Sequence, residues 1–393
     1  MKASRKCSIC HNDSDITLLY KQEFLIPEDY KGLPEVYSIV ECNGCGFVYA
    51  DMAASQAVYE NYYERNSKYE SLNSSSSTGG INKRDIARFE NAFKEFKTFI
   101  NANNQILDVG CANGGLLYVL KSHGFNNIVG LEMSERCVAN VGNLRIDCSK
   151  GGCFSVPDDF KCRFDMIILS HVLEHIYDLE TAMYNICGML NDDGMIYIDV
   201  PDASRYYDYY IKPFYYFDLE HINHFTIQTL SNLGRKFGLK VISSHEKDIE
   251  VNPKFSYPTV SALFKKGTGA TDTMTMERGS NESIKKYIAK SHDNDVCEKL
   301  NELKISQEEI IVWGVGAYTL SIFRKGLSEC NIVAVVDSNT KKQGMLIGGL
   351  RVEDPSVIGN YKATILILSA LYQEEIAKQI VDMKTLNTIK SIY

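Results

Sequence analysis

Glu220-His221-Ile222-Asn223-His224-Phe225 sets a carboxylate and two imidazoles close together inside a tyrosine-rich stretch, residues 205–226. A histidine with an ordinary pKa is suited to taking up a proton near neutral pH. An acid beside it can orient the ring or balance its charge. Tyrosines such as Tyr216 can stack on a sugar or base and hydrogen-bond its hydroxyls. The same spacing also fits a structural role, with Glu220 and His221 pinning a helix start and His224 packed in a core. A second set is metal-like: Cys7-x-x-Cys10 and Cys42-x-x-Cys45 offer four thiolates, the donor set of a tetrahedral structural zinc site. Gly44 and Gly46 ease the second turn. The rival, a redox dithiol, needs one pair beside a thioredoxin-like unit, which the sequence lacks. His11 reads as a loop residue next to four better ligands.

The third set is a turn. Ile106-Leu107-Asp108-Val109 reads as a buried strand and Gly110-Cys111-Ala112-Asn113-Gly114 as the turn, with Leu116, Leu117 and Leu120 at helical spacing after it. Ile128 to Leu131 is a second strand that ends on Glu132, an acid placed to grip the hydroxyls of a ribose. The pattern D-x-G-x-A-x-G resembles the first motif of class I S-adenosylmethionine (SAM) methyltransferases. The resemblance implies a SAM site built from Asp108, Gly110, Ala112, Gly114, Glu132 and Met133. Phe164 to Ser170 is a further buried strand running into His171-Val172-Leu173-Glu174-His175. It resembles the fourth-strand motif of the same superfamily, which puts His171 beside the methionine end of SAM. Glu174 and His175 read as residues that hold that loop.

The elements that must position these residues follow from the rest of the chain. Residues 51–80 combine Tyr59, Tyr62, Tyr63 and Tyr69 with a serine run and Gly79-Gly80. They fit either a lid or a linker docked on the next domain. Ile86, Phe89, Phe93 and Phe96 predict an amphipathic helix. Thr226 predicts a helix cap, with Leu230, Leu233 and Phe237 on the core face and Gly238 at the end. Residues 266–283 read as a hinge, followed by a helix from Ile284 to about Leu303. Ile311-Val312-Trp313-Gly314-Val315-Gly316-Ala317 starts a second strand-and-turn unit, whose next strand ends on Asp337. Thr319 at its third glycine position makes it a poor dinucleotide fingerprint, which weakens a hydride-transfer reading. The expected fold is α/β: a zinc-binding module (1–50), a tyrosine-rich loop and helical linker (51–100), a class I methyltransferase core (101–265), a hinge and helix (266–309), and a Rossmann-like domain (310–393).

The chain has 393 residues, 42 Lys and Arg against 50 Asp and Glu, for a formal net charge of −8. No broad basic face is on offer, so no nucleic-acid partner is expected. There is no apolar leader and no long uninterrupted apolar run, so the expectation is a cytoplasmic protein without a membrane partner, monomer or homodimer. Twelve cysteines in so long a chain do not read as a disulfide framework.

In order, a four-Cys module, a SAM core, an E-H-x-x-H-F segment and a Rossmann-like C-terminal domain together resemble the sugar-nucleotide C-methyltransferases of bacterial deoxysugar pathways. The resemblance covers nearly the whole chain. It implies that His221 is the base and Glu220 its partner, that a carbon next to a keto group is deprotonated, and that the enolate is methylated. It also implies that Tyr63, Tyr69 and Tyr216 line the sugar site and that the small-molecule substrate is a nucleotide sugar. The chain departs from the family at residues 250–254, where a His-Gly-Gly-Ser-type segment is replaced by Glu250-Val251-Asn252-Pro253-Lys254. Two other readings stand beside this one: O-methylation of a sugar hydroxyl or other small molecule, and a SAM-fold scaffold without activity.

Overall fold

The computed structural model describes residues 2–66, 79–267 and 281–392. The chain opens with an antiparallel sheet, β1 (Ile16–Glu23), β2 (Val36–Cys42) and β3 (Val48–Asp51), followed by α1 (Gln56–Asn66). The predicted amphipathic helix is α2 (Lys83–Phe96). The Asn82 side chain accepts from the Asp85 amide at its start, and Phe89, Phe93 and Phe96 face the core.

The central layer is built from β4 (Ile106–Val109), α3 (Gly115–Ser122), β5 (Ile128–Glu132), α4 (Glu135–Asn143), β6 (Asp147–Lys150), β7 (Phe164–Ser170), α5 (Leu179–Met189), β8 (Leu190–Pro201), β9 (Asn223–His224), α6 (Ile227–Lys236), β10 (Leu239–Asn252) and β11 (Phe255–Lys266). Its seven-stranded sheet runs β10-β11-β8-β7-β4-β5-β6. The strands from β6 to β8 are parallel, and β11 is antiparallel to both β8 and β10. From β4 the chain winds outward to β5 and β6, then returns to β7 on the other side. A crevice therefore opens at the carboxyl ends of β4 and β7, where ligands bind in open α/β sheets. All four residues of β4 are buried, as a parallel strand covered on both faces requires. Asn191 to Gly194 lie inside β8, where the register with β7 jumps from Leu190 to Met195, so these residues bulge out of the ladder.

The helix expected from Ile284 to about Leu303 is two helices, α7 (Glu282–Asp293) and α8 (Cys297–Ser306). Asp295 breaks it, since its carboxylate accepts from the Val296 amide and pairs with Lys325 at 2.8 Å. The last sheet contains β12 (Ile310–Trp313), β13 (Ile332–Val336), β14 (Leu346–Ile347), β15 (Leu350–Glu353), β16 (Thr364–Ile367) and β17 (Ile389–Lys390), in the order β14-β15-β13-β12-β16-β17. α9 (Ala317–Arg324) and α10 (Gln373–Asp382) complete the unit.

The parts are welded rather than strung together. β3 pairs with β9, so the cysteine module shares a ladder with the segment that carries His224. Phe24 just after β1, Tyr37 of β2, Phe214, Tyr216 and Phe217, Tyr287 of α7, and Leu320 and Phe323 of α9 belong to one buried cluster. Among the described residues, no helix is long and apolar enough to cross a membrane.

Candidate active site

Asp108 near the end of β4 is 3% exposed, and its carboxyl is pushed up to about 8. Burial does most of this and the nearby Glu132 carboxylate adds to it, against the opposing charge of Arg88. Gly110 follows at φ +71°, and a Cβ there would come within 2.9 Å of Val172. Gly114 caps α3 at φ +76°, against Val141. Within this site two residues with side chains share the left-handed conformation, Ala112 at φ 46° and His171 at φ 57°. Such positions cost of order 1 kcal/mol and gather where a binding loop must hold one shape. Glu132 fixes the turn, its carboxylate accepting from the Ala112 amide at 2.9 Å and the Ser134 amide at 3.0 Å. Met133 follows directly and packs near Gly152. Arg88 on α2, unnoticed in the sequence, donates to the Ser170 hydroxyl at 3.3 Å. Its Nε, like the Nε2 of His171, is buried without a hydrogen-bond partner. A cleft with one raised carboxyl, one guanidinium and two orphaned nitrogens fits an amino-acid zwitterion carried on a ribonucleoside, as in SAM.

Beside this crevice three imidazoles surround one acid. Glu174 is fully buried, and His171 Nδ1 donates to its Oε1 at 3.0 Å. His175 Nε2 lies 3.9 Å from the same oxygen, and the rings of His175 and His221 stand edge to face at 4.8 Å. Burial by itself would raise the Glu174 carboxyl. The His171 hydrogen bond and the charges of His175, His171 and His221 outweigh it and hold the group at about 2. His175 Nδ1 donates to the Glu220 carbonyl at 3.0 Å, and the Tyr63 hydroxyl lies 2.9 Å from the same nitrogen. His221 Nδ1 meets the Tyr257 hydroxyl at 3.1 Å, and Asp218 accepts from the His221 and Glu220 amides.

The Glu220 side chain takes a different direction, accepting from Tyr62 at 3.2 Å. The carboxylate whose charge reaches His221 is Glu174. That proximity was invisible in sequence, where the two lie far apart on the loops after β7 and before β9. His224 is 1% exposed, with Tyr206 at its Nδ1. Burial first, then the charge of His221, lower its pKa to about 3, so it stays neutral. Tyr216 stacks on Tyr206 at 3.9 Å and donates its hydroxyl to the Tyr209 carbonyl. Tyr69 lies outside the described residues.

On the other side of the loop after β7 the four cysteines converge. Cys7 and Cys45 sulfurs are 3.5 Å apart, Cys10 and Cys42 sulfurs 3.4 Å, and all four fall within 4.8 Å of one another. A tetrahedron of thiolates at zinc–sulfur distance has edges of about 3.8 Å, so the cage fits. Asn12 donates to the Cys42 sulfur at 3.8 Å. Arg5, two residues before Cys7, reaches the active-site loop: its guanidinium donates to the Ile176 and Tyr177 carbonyls and to Asn223. No sequence signal marked this link, because its partners are brought together only by the fold.

Residues 82–244 match the family model of a methyltransferase domain, and residues 306–389 match a family described as C2185-like, N-terminal. No curated protein matches the chain. Among solved structures the chain is similar to the 1,6-didemethyltoxoflavin-N1-methyltransferase of Burkholderia thailandensis, which was solved with S-adenosylhomocysteine. That match has 16% identity over 57% of this chain and 97% of that one, at TM-score 0.42. A SAM-dependent methyltransferase of Methanosarcina mazei is 12% identical over 44% and 98%, at TM-score 0.38. One of Mesorhizobium loti is 15% identical over 44% and 97%, at TM-score 0.36.

Proposed function

We propose that this chain, an α/β enzyme whose residues 82–244 form a SAM-dependent methyltransferase domain, methylates a nucleotide-linked keto sugar. The carrying observation is the cluster of His171, His175 and His221 around Glu174, beside the crevice that ends β4. Glu132 would take the ribose hydroxyls of SAM, Asp108 its ammonium group and Arg88 its carboxylate. SAM supplies a methyl group on a positively charged sulfur. His221 draws a proton from the carbon next to the acceptor's carbonyl, and Tyr257 steadies its ring. The enolate carbon then bonds to the methyl carbon as the carbon–sulfur bond breaks, leaving S-adenosylhomocysteine. Tyr62 and Tyr63 of α1 face Glu220 and His175 and would border the sugar.

We also propose that the four cysteines hold a structural zinc ion. Through Arg5, the zinc knuckle anchors the loop that carries Glu174 and His175.

The test is incubation with SAM and a panel of nucleotide-linked keto sugars, read as S-adenosylhomocysteine formed. Without SAM, exchange of the carbon-bound proton into heavy water is followed. Turnover with exchange supports carbon methylation. Turnover on non-keto sugars without exchange moves the reading to O-methylation. SAM binding without turnover on any acceptor leaves a scaffold.

A further inference from the structure

Glu174, His175 and His221 present one carboxylate oxygen and two imidazole nitrogens within 4.8 Å of one another. We propose that these three side chains bind a divalent transition-metal ion, a second metal site distinct from the cysteine cage. Two nitrogens and one oxygen suit zinc, manganese, iron or cobalt rather than magnesium or calcium, which take oxygen donors. Two ligands with bonds near 2 Å at a tetrahedral angle stand about 3.3 Å apart, so Glu174 Oε1 and His175 Nε2, 3.9 Å apart, would close by roughly half an ångström around an ion.

The outer partners are those that metal-bound histidines use. With its proton on Nδ1, His175 donates to the Glu220 carbonyl, the Tyr63 hydroxyl oxygen lies beside the same nitrogen, and Nε2 faces Glu174 with its lone pair. His221 is held at Nδ1 by the Tyr257 hydroxyl, which leaves Nε2 as its donor atom. Glu174 Oε2 is fully buried and has no hydrogen-bond partner, an uncompensated acceptor that a cation would satisfy. His171 already binds Oε1 and orients the carboxylate.

This inference rests on the methyl-transfer reading and replaces only the identity of the proton acceptor. The preferred acceptor class is a compound with two adjacent oxygens, an α-hydroxyketone or vicinal diol, that can chelate the ion. An ion held by Glu174, His175 and His221 would act as a Lewis acid on those oxygens and so ease loss of the acceptor's proton to water. The acceptor anion then bonds to the methyl carbon as the carbon–sulfur bond breaks.

The full chain carrying one equivalent of zinc, enough for the cysteine cage alone, is titrated with cobalt(II) and followed by absorption, with SAM binding measured by calorimetry on the same sample. The expected result is one equivalent of cobalt giving visible d–d bands without the sulfur-to-cobalt charge transfer that thiolate ligation produces. Glu174→Gln and His175→Ala should abolish that equivalent. Tyr257→Phe, the mildest change, should keep SAM binding and weaken cobalt by about tenfold. Absence of cobalt binding to the wild-type chain, or binding unchanged in Tyr257→Phe and His175→Ala, overturns the inference. SAM binding without cobalt sinks the metal site and leaves methyl transfer standing. Cobalt binding without SAM overturns methyl transfer and leaves the metal site standing.

Discussion

The chain builds the same backbone device twice. In the unit from β4 to β5, the Gly110 amide bonds the Leu131 carbonyl and Glu132 accepts from the Ala112 amide. In the unit from β12 to β13, the Gly314 amide bonds the Val336 carbonyl and Asp337 accepts from the Val315 amide. Both glycines sit at positive φ. The chemistry differs. Val312 stands in β12 where Asp108 stands in β4, so the second turn lacks the strand acid. Asp337 is already answered by Lys342 at 3.5 Å, which also donates to the Val315 carbonyl. The loop after β7 carries His171, Glu174 and His175. The loop after β16 reads Leu368-Ser369-Ala370, and Lys212 reaches into it, donating to the Leu368 carbonyl with its ammonium over the Tyr318 ring. Burial drives that lysine down to about 7, against Asp218. A glycine turn thus specifies a shape, and the residue types hung on it decide whether it is a site or a scaffold.

The sharpest way to break this comparison is to set the histidine cluster against the loop after β16. If the first unit holds the chemistry, His221→Ala should cost turnover about 10³-fold with SAM affinity within about twofold, while Ser369→Ala changes neither. Steady-state kinetics with calorimetry reads both, and equal effects would erase the distinction. Next, Asp108→Asn should weaken SAM by about 10–100-fold, the loss of one charge-assisted contact. Asp337→Asn should leave SAM affinity alone and cost only stability, as seen by thermal unfolding.

A backbone comparison follows. Gly110→Ala forces a side chain into φ +71° and against Val172 at 2.9 Å, and should cost about 1–2 kcal/mol in denaturant unfolding. Gly316→Ala, at φ −107° with nothing within 4 Å, should fall within about 0.5 kcal/mol of wild type.

The smallest effect is in pH. Asp108 is raised from 3.8 to about 8, so the folded free protein holds a proton there that the unfolded chain has lost. Stability from this group therefore falls as pH rises between those values. A bound ammonium would favour the ionised form, so SAM binding should release a proton below about pH 8. Affinity should then climb by up to about tenfold per pH unit and level off above. Calorimetry in buffers of different ionisation heat measures the proton. A flat profile would separate Asp108 from the ammonium.

Much of this was legible in residue order. The strand, glycine turn, helix and terminal acid are consecutive, so their pattern survives in the sequence, as does the Thr226 cap of α6 and the core face behind it. The cysteine pairs were legible because each C-x-x-C closes its own turn. The break between α7 and α8 was not, because Asp295 stops the helix with help from Lys325, which comes from beyond β12. Glu220 looked like the partner of His221 because it precedes it. Glu220 lies in a bend where its amide and that of His221 both bond Asp218, and its side chain meets Tyr62.

The sequence by itself determined the elements whose parts are neighbours along the chain: the buried strands, both glycine turns with their acids, and the two cysteine knuckles. Tertiary structure decided which acid meets which histidine, which turn keeps a buried carboxylate within reach of Arg88, and that Arg5 ties the cysteine cage to the loop beside His175. Those contacts join segments tens to hundreds of residues apart. A buried charge can sit there because the fold closes partners around it, and no local pattern records that closure.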